Sequence, residues 1–345
     1  MTTPSTSSVR DPRIPVYLLT GYLGSGKTSL LKSWLGQPEF QDAALIINEL
    51  GEVGLDNQLL SGASESAALV ANACICCTGL PGLSEALEDL FWARLERRMH
   101  KFPLLIIETT GLAEPGPVAE ALTSSDLLKE RYRLAGVITC LSAATADAVL
   151  THHAEARAQL AGADLLVITK TDLLNTGVLQ PLQRRIAHQL AHTASRAEIR
   201  SSAQASLTAA QVLAALQDRT PSDTHDHAQS HELHDHPHDH AHSHSAEAFF
   251  WPIPQAVDSD MLRQHIAQLQ SELGTQLLRL KGRVLTTQGS SLVPLVVQMA
   301  PFETVPDFQN DALATEANAA TLGLTVIVSL PLSAQQLRAL KLRVS

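Results

Sequence analysis

The sequence predicts an α/β protein: a doubly wound, mostly parallel sheet with a phosphate-binding loop, followed by a smaller α+β domain. Three observations predict it. Short continuous apolar runs at residues 14–19, 43–47, 104–107, 134–139 and 165–169 alternate with segments of helical spacing at 29–35, 83–99 and 144–160. Strands that are apolar throughout, rather than at every second residue, fit a parallel sheet covered by helices on both faces. The first run ends in Gly21-Tyr22-Leu23-Gly24-Ser25-Gly26-Lys27-Thr28, which leads straight into a helical segment. Residues 220–248 then break the pattern, and a different mixture of strands and helices follows.

Length and composition set the frame. A chain of 345 residues is too long for one typical core, and an apolar content of 45% is ordinary for a folded chain. We assign residues 12–218 to the nucleotide-binding domain, 219–248 to a linker and 249–345 to the α+β domain. In the last, helices are expected at 258–273 and 333–340 and strands at 277–280, 284–287, 292–298 and 324–330. A formal net charge of −10 argues against a nucleic-acid partner, which clustered Lys and Arg would serve. Residues 1–15 lack the apolar run of a secretory signal, and no stretch approaches the roughly 20 apolar residues of a membrane span. The expected setting is therefore the cytoplasm, with no membrane partner and with reduced thiols. Cys140, inside an apolar run, reads as a small core residue.

The glycine-rich stretch matches G-x-x-x-x-G-K-[ST] in full, in the strand–loop–helix setting that gives the pattern meaning. Gly21, Gly24 and Gly26 let backbone N–H groups turn inward around phosphate oxygens, with Ser25 and Ser29 beside them. Lys27 is expected to reach the β and γ phosphates and Thr28 to ligate Mg²⁺. A chance glycine-rich turn is the alternative. Glu108 ends an apolar run, where an acidic residue can meet the Mg²⁺ shell or its water, and Gly111 follows where backbone could approach the γ phosphate. Lys27 and Glu108 are the candidate catalytic residues. No arginine finger stands out in the chain, so slow basal turnover is expected.

Thr169-Lys170-Thr171-Asp172 also follows a buried strand and resembles the guanine-recognition pattern Asn-Lys-x-Asp, with Thr in place of Asn. Asp172 would accept from the guanine N1–H and amine, Lys170 would pack along the base, and Ser202-Ala203 would add a further contact. Adenine would leave such polar groups unpaired, which is how a site of this kind discriminates. An ATP-dependent phosphotransferase using the same loop is the rival reading.

Three of the four cysteines, Cys74, Cys76 and Cys77, fall within four positions between the phosphate loop and Glu108. Clustered thiolates suit Zn²⁺ and Co²⁺ alike. A fourth ligand could be water, Glu52, Glu49 or a receiving partner, and an incomplete shell suits transfer better than permanent structural binding. Buried structural thiols or a redox pair are the alternatives. Residues 220–248 hold nine of the fifteen histidines and six acidic residues with no Lys or Arg. Such a composition cannot bury enough apolar surface to fold alone and reads as a metal-collecting linker. His152 and His153 read as exposed helix residues.

Gly21 to Thr28, residues 48–56 (Asn48-Glu49-Leu50-Gly51-Glu52-Val53-Gly54-Leu55-Asp56), Asn72-Ala73-Cys74-Ile75-Cys76-Cys77, Glu108-Thr109-Thr110-Gly111-Leu112-Ala113-Glu114-Pro115 and Thr169 to Asp172 occur in that order. Together they resemble the CobW-like family of metallochaperone GTPases, and Leu278-Arg279-Leu280-Lys281-Gly282 is similar to the start of that family's C-terminal domain. The resemblance implies GTP as nucleotide, with Mg²⁺, and zinc or cobalt carried at the Cys-x-Cys-Cys site to a client metalloprotein. Cobalt delivery to a cofactor pathway or a hydratase, and a passive zinc buffer, are variants. A possible homodimer would add a second copy of the chain as partner.

The linker reading has a direct test. Deleting residues 224–245 should lower metal stoichiometry by elemental analysis while leaving nucleotide affinity and melting temperature nearly unchanged. A large loss of melting temperature would make the segment structural.

Overall fold

The computed structural model describes residues 11–47, 68–69, 80–193, 195–217, 246–288, 291–299, 301, 303, 306–310 and 322–344. Seven strands, β1 (Ile14–Thr20), β2 (Ala44–Ile47), β3 (Ala68–Leu69), β4 (Leu105–Glu108), β5 (Tyr132–Ser142), β6 (Leu165–Thr169) and β7 (Glu198–Ser201), form one sheet. Its order is β3-β2-β4-β1-β5-β6-β7 and every pairing is parallel. The chain winds to one side of β1 and then to the other, so the carboxyl end of β1 lies at the switch of direction, where open α/β sheets bind ligands.

The helices are α1 (Lys27–Leu35), α2 (Leu80–Leu95), α3 (Pro115–Ala121), α4 (Asp126–Arg131), α5 (Ala146–His152), α6 (Ala154–Ala161), α7 (Leu179–Ala191) and α8 (Ala209–Gln217). Successive residues of β1 serve opposite faces. Tyr17 and Leu19 pack with Leu30, Leu31 and Trp34 of α1 and Val212 of α8. Val16 and Leu18 pack with Leu83, Leu87 and Leu90 of α2 and Val118 of α3. This two-sided burial is why the strands read as continuous apolar runs. The Trp34 indole N–H donates to Leu207 O at 2.7 Å, which ties α1 to the segment entering α8.

Two departures from the sequence reading occur in this unit. The helical pattern at 144–160 is two helices, because His153 takes an extended conformation between α5 and α6. Elements α7, β7 and α8 are additional. β7 is a four-residue edge strand with Glu198 and Arg200 exposed, so it carries no apolar run to read.

The C-terminal unit contains β8 (Ala246–Pro252), β9 (Val257–Asp258), α9 (Ser259–Leu273), β10 (Leu277–Gln288), β11 (Ser291–Met299), β12 (Asp307–Asn310), β13 (Gly323–Ser329) and α10 (Ala334–Val344). The sheet order is β12-β11-β10-β13-β8, antiparallel throughout, with β9 alongside β10 in parallel. The Asp258 side chain caps α9 by accepting from Asp260 N and Met261 N, both at 3.0 Å. β8 begins at Ala246, ahead of the expected Phe249. Where two short strands were expected around Lys281-Gly282-Arg283, β10 is one strand of 12 residues. Gly282 there is a point of close approach and not a turn: a Cβ would lie 2.0 Å from Gly323 O on β13. One face of the sheet packs Leu280, Val284, Leu324 and Val326 against Leu262, Ile266 and Leu269 of α9. Leu278 and Ile327, on the other face, join Leu182, Ile186 and Leu190 of α7 in one apolar cluster.

Cys140 on β5 lies within the first core, and burial pushes its thiol up to about 12. Alkylation of native protein at neutral pH followed by peptide mass spectrometry should leave Cys140 unlabelled, with full labelling after denaturation. Labelling in the native state would show that this part of the core opens.

Candidate nucleotide site

The loop between β1 and α1 is shaped by its glycines. Gly21 has φ 134°, and a Cβ there would lie 2.2 Å from Cys140 O, so no side chain fits. Gly26 has φ 86° and precedes α1, whose first-turn N–H groups face the loop. Lys27 is buried, and its Nζ donates to Gly21 O at 2.7 Å, so the ammonium folds back over its own loop. Ser25 Oγ is buried with no hydrogen-bond partner among the described residues, a donor and acceptor within the loop that a phosphate oxygen could use. Ser29 is exposed in the first turn of α1.

Glu108 ends β4 beside β1, in register with Leu19. Its side chain is 1% exposed, and Oε1 accepts from the Thr28 hydroxyl at 2.7 Å. The pair places two hard oxygen donors next to the phosphate loop, a donor set that fits Mg²⁺. Gly111 sits where a Cβ would lie 2.5 Å from Leu23 N, so the turn after β4 rests on the phosphate loop. Gln159, on α6, supports that turn: its Nε2 donates to Gly111 O at 3.1 Å and Ala113 O at 2.9 Å. Sequence reading missed Gln159. Its one signal is a polar residue on the buried face of a short helix, beside Ala156 and Leu160.

Thr169 ends β6, and its hydroxyl donates to Ser25 O at 2.6 Å. The residue that departs from the Asn-Lys-x-Asp pattern thus braces the phosphate loop. Asp172 is exposed, and its Oδ1 accepts from Gln204 N at 3.0 Å. Ser202 is buried, its hydroxyl accepts from Leu207 N at 3.3 Å, and Ser202 O accepts from Thr171 N at 3.5 Å. The 202–204 loop therefore lies beside Asp172. Lys170 has φ 54°, and its Nζ lies 2.9 Å from Glu303 Oε1 of the C-terminal unit, a partner with no counterpart in the sequence pattern.

His152 is exposed as expected, but His153 is half-buried at the α5–α6 joint and stacks on Tyr22 of the phosphate loop at 4.5 Å between ring centroids. Burial lowers its pKa below the usual imidazole value. Cys74, Cys76, Cys77, Glu49, Glu52 and all nine linker histidines lie outside the described residues. Among the described residues, no group of three or more His, Cys, Asp or Glu is arranged to hold a metal ion.

Several curated proteins are similar to this chain. The zinc chaperone YjiA of Escherichia coli (strain K12) is 39% identical over 174 residues, 50% of this chain and 54% of that one. Zinc-regulated GTPase metalloprotein activator 1 of Schizosaccharomyces pombe is 34% identical over 186 residues, 52% of this chain and 44% of that one. The zinc chaperone CobW of Sinorhizobium sp is 30% identical over 251 residues, 64% of this chain and 67% of that one. The chain spans about half the length of the first two. Residues 15–200 match the family model of the CobW/HypB/UreG nucleotide-binding domain, the span that contains the phosphate loop, Glu108 and the Thr169–Asp172 segment. The chain belongs to the CobW/HypB/UreG family.

Proposed function

We propose that the chain is a slow GTPase that carries zinc at Cys74, Cys76 and Cys77 and hands it to a client metalloprotein. The observation that carries the nucleotide half is the Thr28–Glu108 contact, which joins the phosphate loop to a buried carboxylate at the end of the neighbouring strand. The zinc half is supported by three clustered thiols in the sequence and by the zinc chaperones among the chain's relatives. Residues 12–218 do the nucleotide work, 219–248 collect metal, and 249–345 form the C-terminal unit. A cytoplasmic setting belongs to the same reading; among the described residues no helix is long and apolar enough to cross a membrane.

The residues divide the work. Backbone N–H groups of residues 21–28 bind the phosphates, and Lys27 exchanges its contact with Gly21 O for the β and γ oxygens. Thr28 and Glu108 would hold Mg²⁺, which when bound neutralises charge on the phosphates. A water attacks the γ phosphorus in line, the bond to the β–γ bridging oxygen breaks, and GDP and phosphate leave. Glu108, kept out of bulk solvent, orients polar groups around that phosphate. Gly111 brings the backbone after β4 to the same place, so loss of the γ phosphate is felt in this turn. The thiols precede α2 in sequence, between the phosphate loop and Glu108, and we assign them to the part that changes with nucleotide state.

Two experiments test this reading. Asp172→Asn should weaken GTP binding and favour xanthosine triphosphate, because the amide donates to the added carbonyl. Equal affinity of the wild type for ATP and GTP would defeat the guanine assignment. Metal and nucleotide should also be linked reciprocally, each tightening the other by the same factor, typically about 5- to 150-fold or about 1–3 kcal/mol. Zn²⁺ titrations with and without a slowly hydrolysed GTP analogue, and the converse pair, measure it. Replacing all three cysteines by Ser should abolish the coupling and leave metal-free GTP binding intact; coupling that survives would remove the thiols from the mechanism.

A further inference from the structure

We propose that Glu303 of the C-terminal unit is part of the base-binding edge of the nucleotide site, where it positions Lys170. The inference rests on the guanine reading of residues 169–172. Lys170 directly follows β6 in a left-handed backbone conformation, φ 54°. Its Nζ lies 2.9 Å from Glu303 Oε1, and the two side chains are 30% and 26% exposed. The pair is therefore shielded from water on most sides and is stronger than a fully exposed one.

Glu303 is itself anchored. Its main-chain oxygen accepts a hydrogen bond from Gln270 Nε2 on α9, the helix that packs on the C-terminal sheet. A second contact fixes that sheet beside the base segment without any charge: Leu278 and Ile327 share an apolar cluster with Leu182, Ile186 and Leu190 of α7, the first α-helix after Asp172. Leu174, between the base segment and α7, packs against the same cluster. The groups that would read a purine thus rest on two supports. Asp172 is held by Gln204 N from the 202–204 loop, and Lys170 by Glu303 from the C-terminal unit.

The chemistry explains why lysine benefits from such an anchor. Its ammonium is a point charge on a flexible four-carbon stem, and the apolar stem is the part that flanks a base. Fixing the ammonium orders the stem before nucleotide arrives, which removes part of the entropy cost of binding. Glu303 touches no reacting atom, so its effect belongs to binding and not to the hydrolytic step.

The test is a double-mutant cycle on the full chain, read by titration with a fluorescent ribose-labelled GDP. Glu303→Gln should raise Kd by about three- to tenfold, Lys170→Met by at least as much, and the double variant no further than Lys170→Met alone. In GTP hydrolysis, Glu303→Gln should raise KM by the same factor with kcat kept within about twofold, a split that general damage to the fold would not produce. A Kd for Glu303→Gln within about twofold of wild type, or single-variant effects that multiply in the double variant, would overturn the assignment. The cycle is repeated with the labelled adenine nucleotide. Equal wild-type affinity for the two nucleotides would defeat the guanine reading, while the coupling measured on either one still decides whether Glu303 acts through Lys170.

Discussion

The site depends on one constraint: in a parallel sheet all carboxyl ends lie at one edge, so the loop after β1 must be shared by the loops after β4 and β6. Three short contacts satisfy it. The Thr28 hydroxyl donates to Glu108, the backbone at Gly111 closes on Leu23, and the Thr169 hydroxyl donates to Ser25 O. Each links the phosphate loop to a different place on a neighbouring strand end. The strands can bear this because they are held on both faces, by α1 and α8 on one side and α2 to α4 on the other.

This arrangement is not the one stability alone would select. Lys27 and Glu108, opposite in charge, are 8% and 1% exposed at the same edge of the sheet. Removing charges from water is expensive, and an apolar substitute of similar volume often does as well or better for folding. Retaining them makes sense where a polyanion and its cation must be received in a place shielded from solvent, since the same low dielectric strengthens each interaction made there. Cys140 reports the environment from the other side: the strand that backs the phosphate loop is dry enough to hold a thiol firmly protonated.

Much of the fold was legible because its signals are local. β1, β2, β4, β5 and β6 showed as apolar runs, and the phosphate loop and Thr169-Lys170-Thr171-Asp172 are contiguous patterns fixed by backbone geometry. What escaped depends on contacts distant in sequence. Gln159 matters because it donates to Gly111 O, 48 residues away, and its sequence neighbours signal only that it lies on the buried face of α6. Glu303 is 133 residues from Lys170. His153 looked like an exposed helix residue, because helical spacing continues through it; a single extended residue turns its ring onto Tyr22. Two short strands were expected on either side of Gly282, whereas it lies inside one strand, at the gap through which β10 and β13 approach. The three clustered thiols were legible in the sequence, and they lie outside the described residues.

Thr169 carries an evolutionary consequence. One residue at the end of β6 both opens the Thr169–Asp172 segment and, through its hydroxyl, satisfies a buried carbonyl of the phosphate loop. A drift to Val or Ala would leave that carbonyl without its donor, at a cost of roughly 1–3 kcal/mol. Only side chains that keep a donor at that reach are open to natural variation, which makes Thr and Asn neighbours in the space of permitted sequences. Position 169 and the phosphate loop cannot then be retuned one at a time: a lineage that alters this residue must carry the loop's backbone with it.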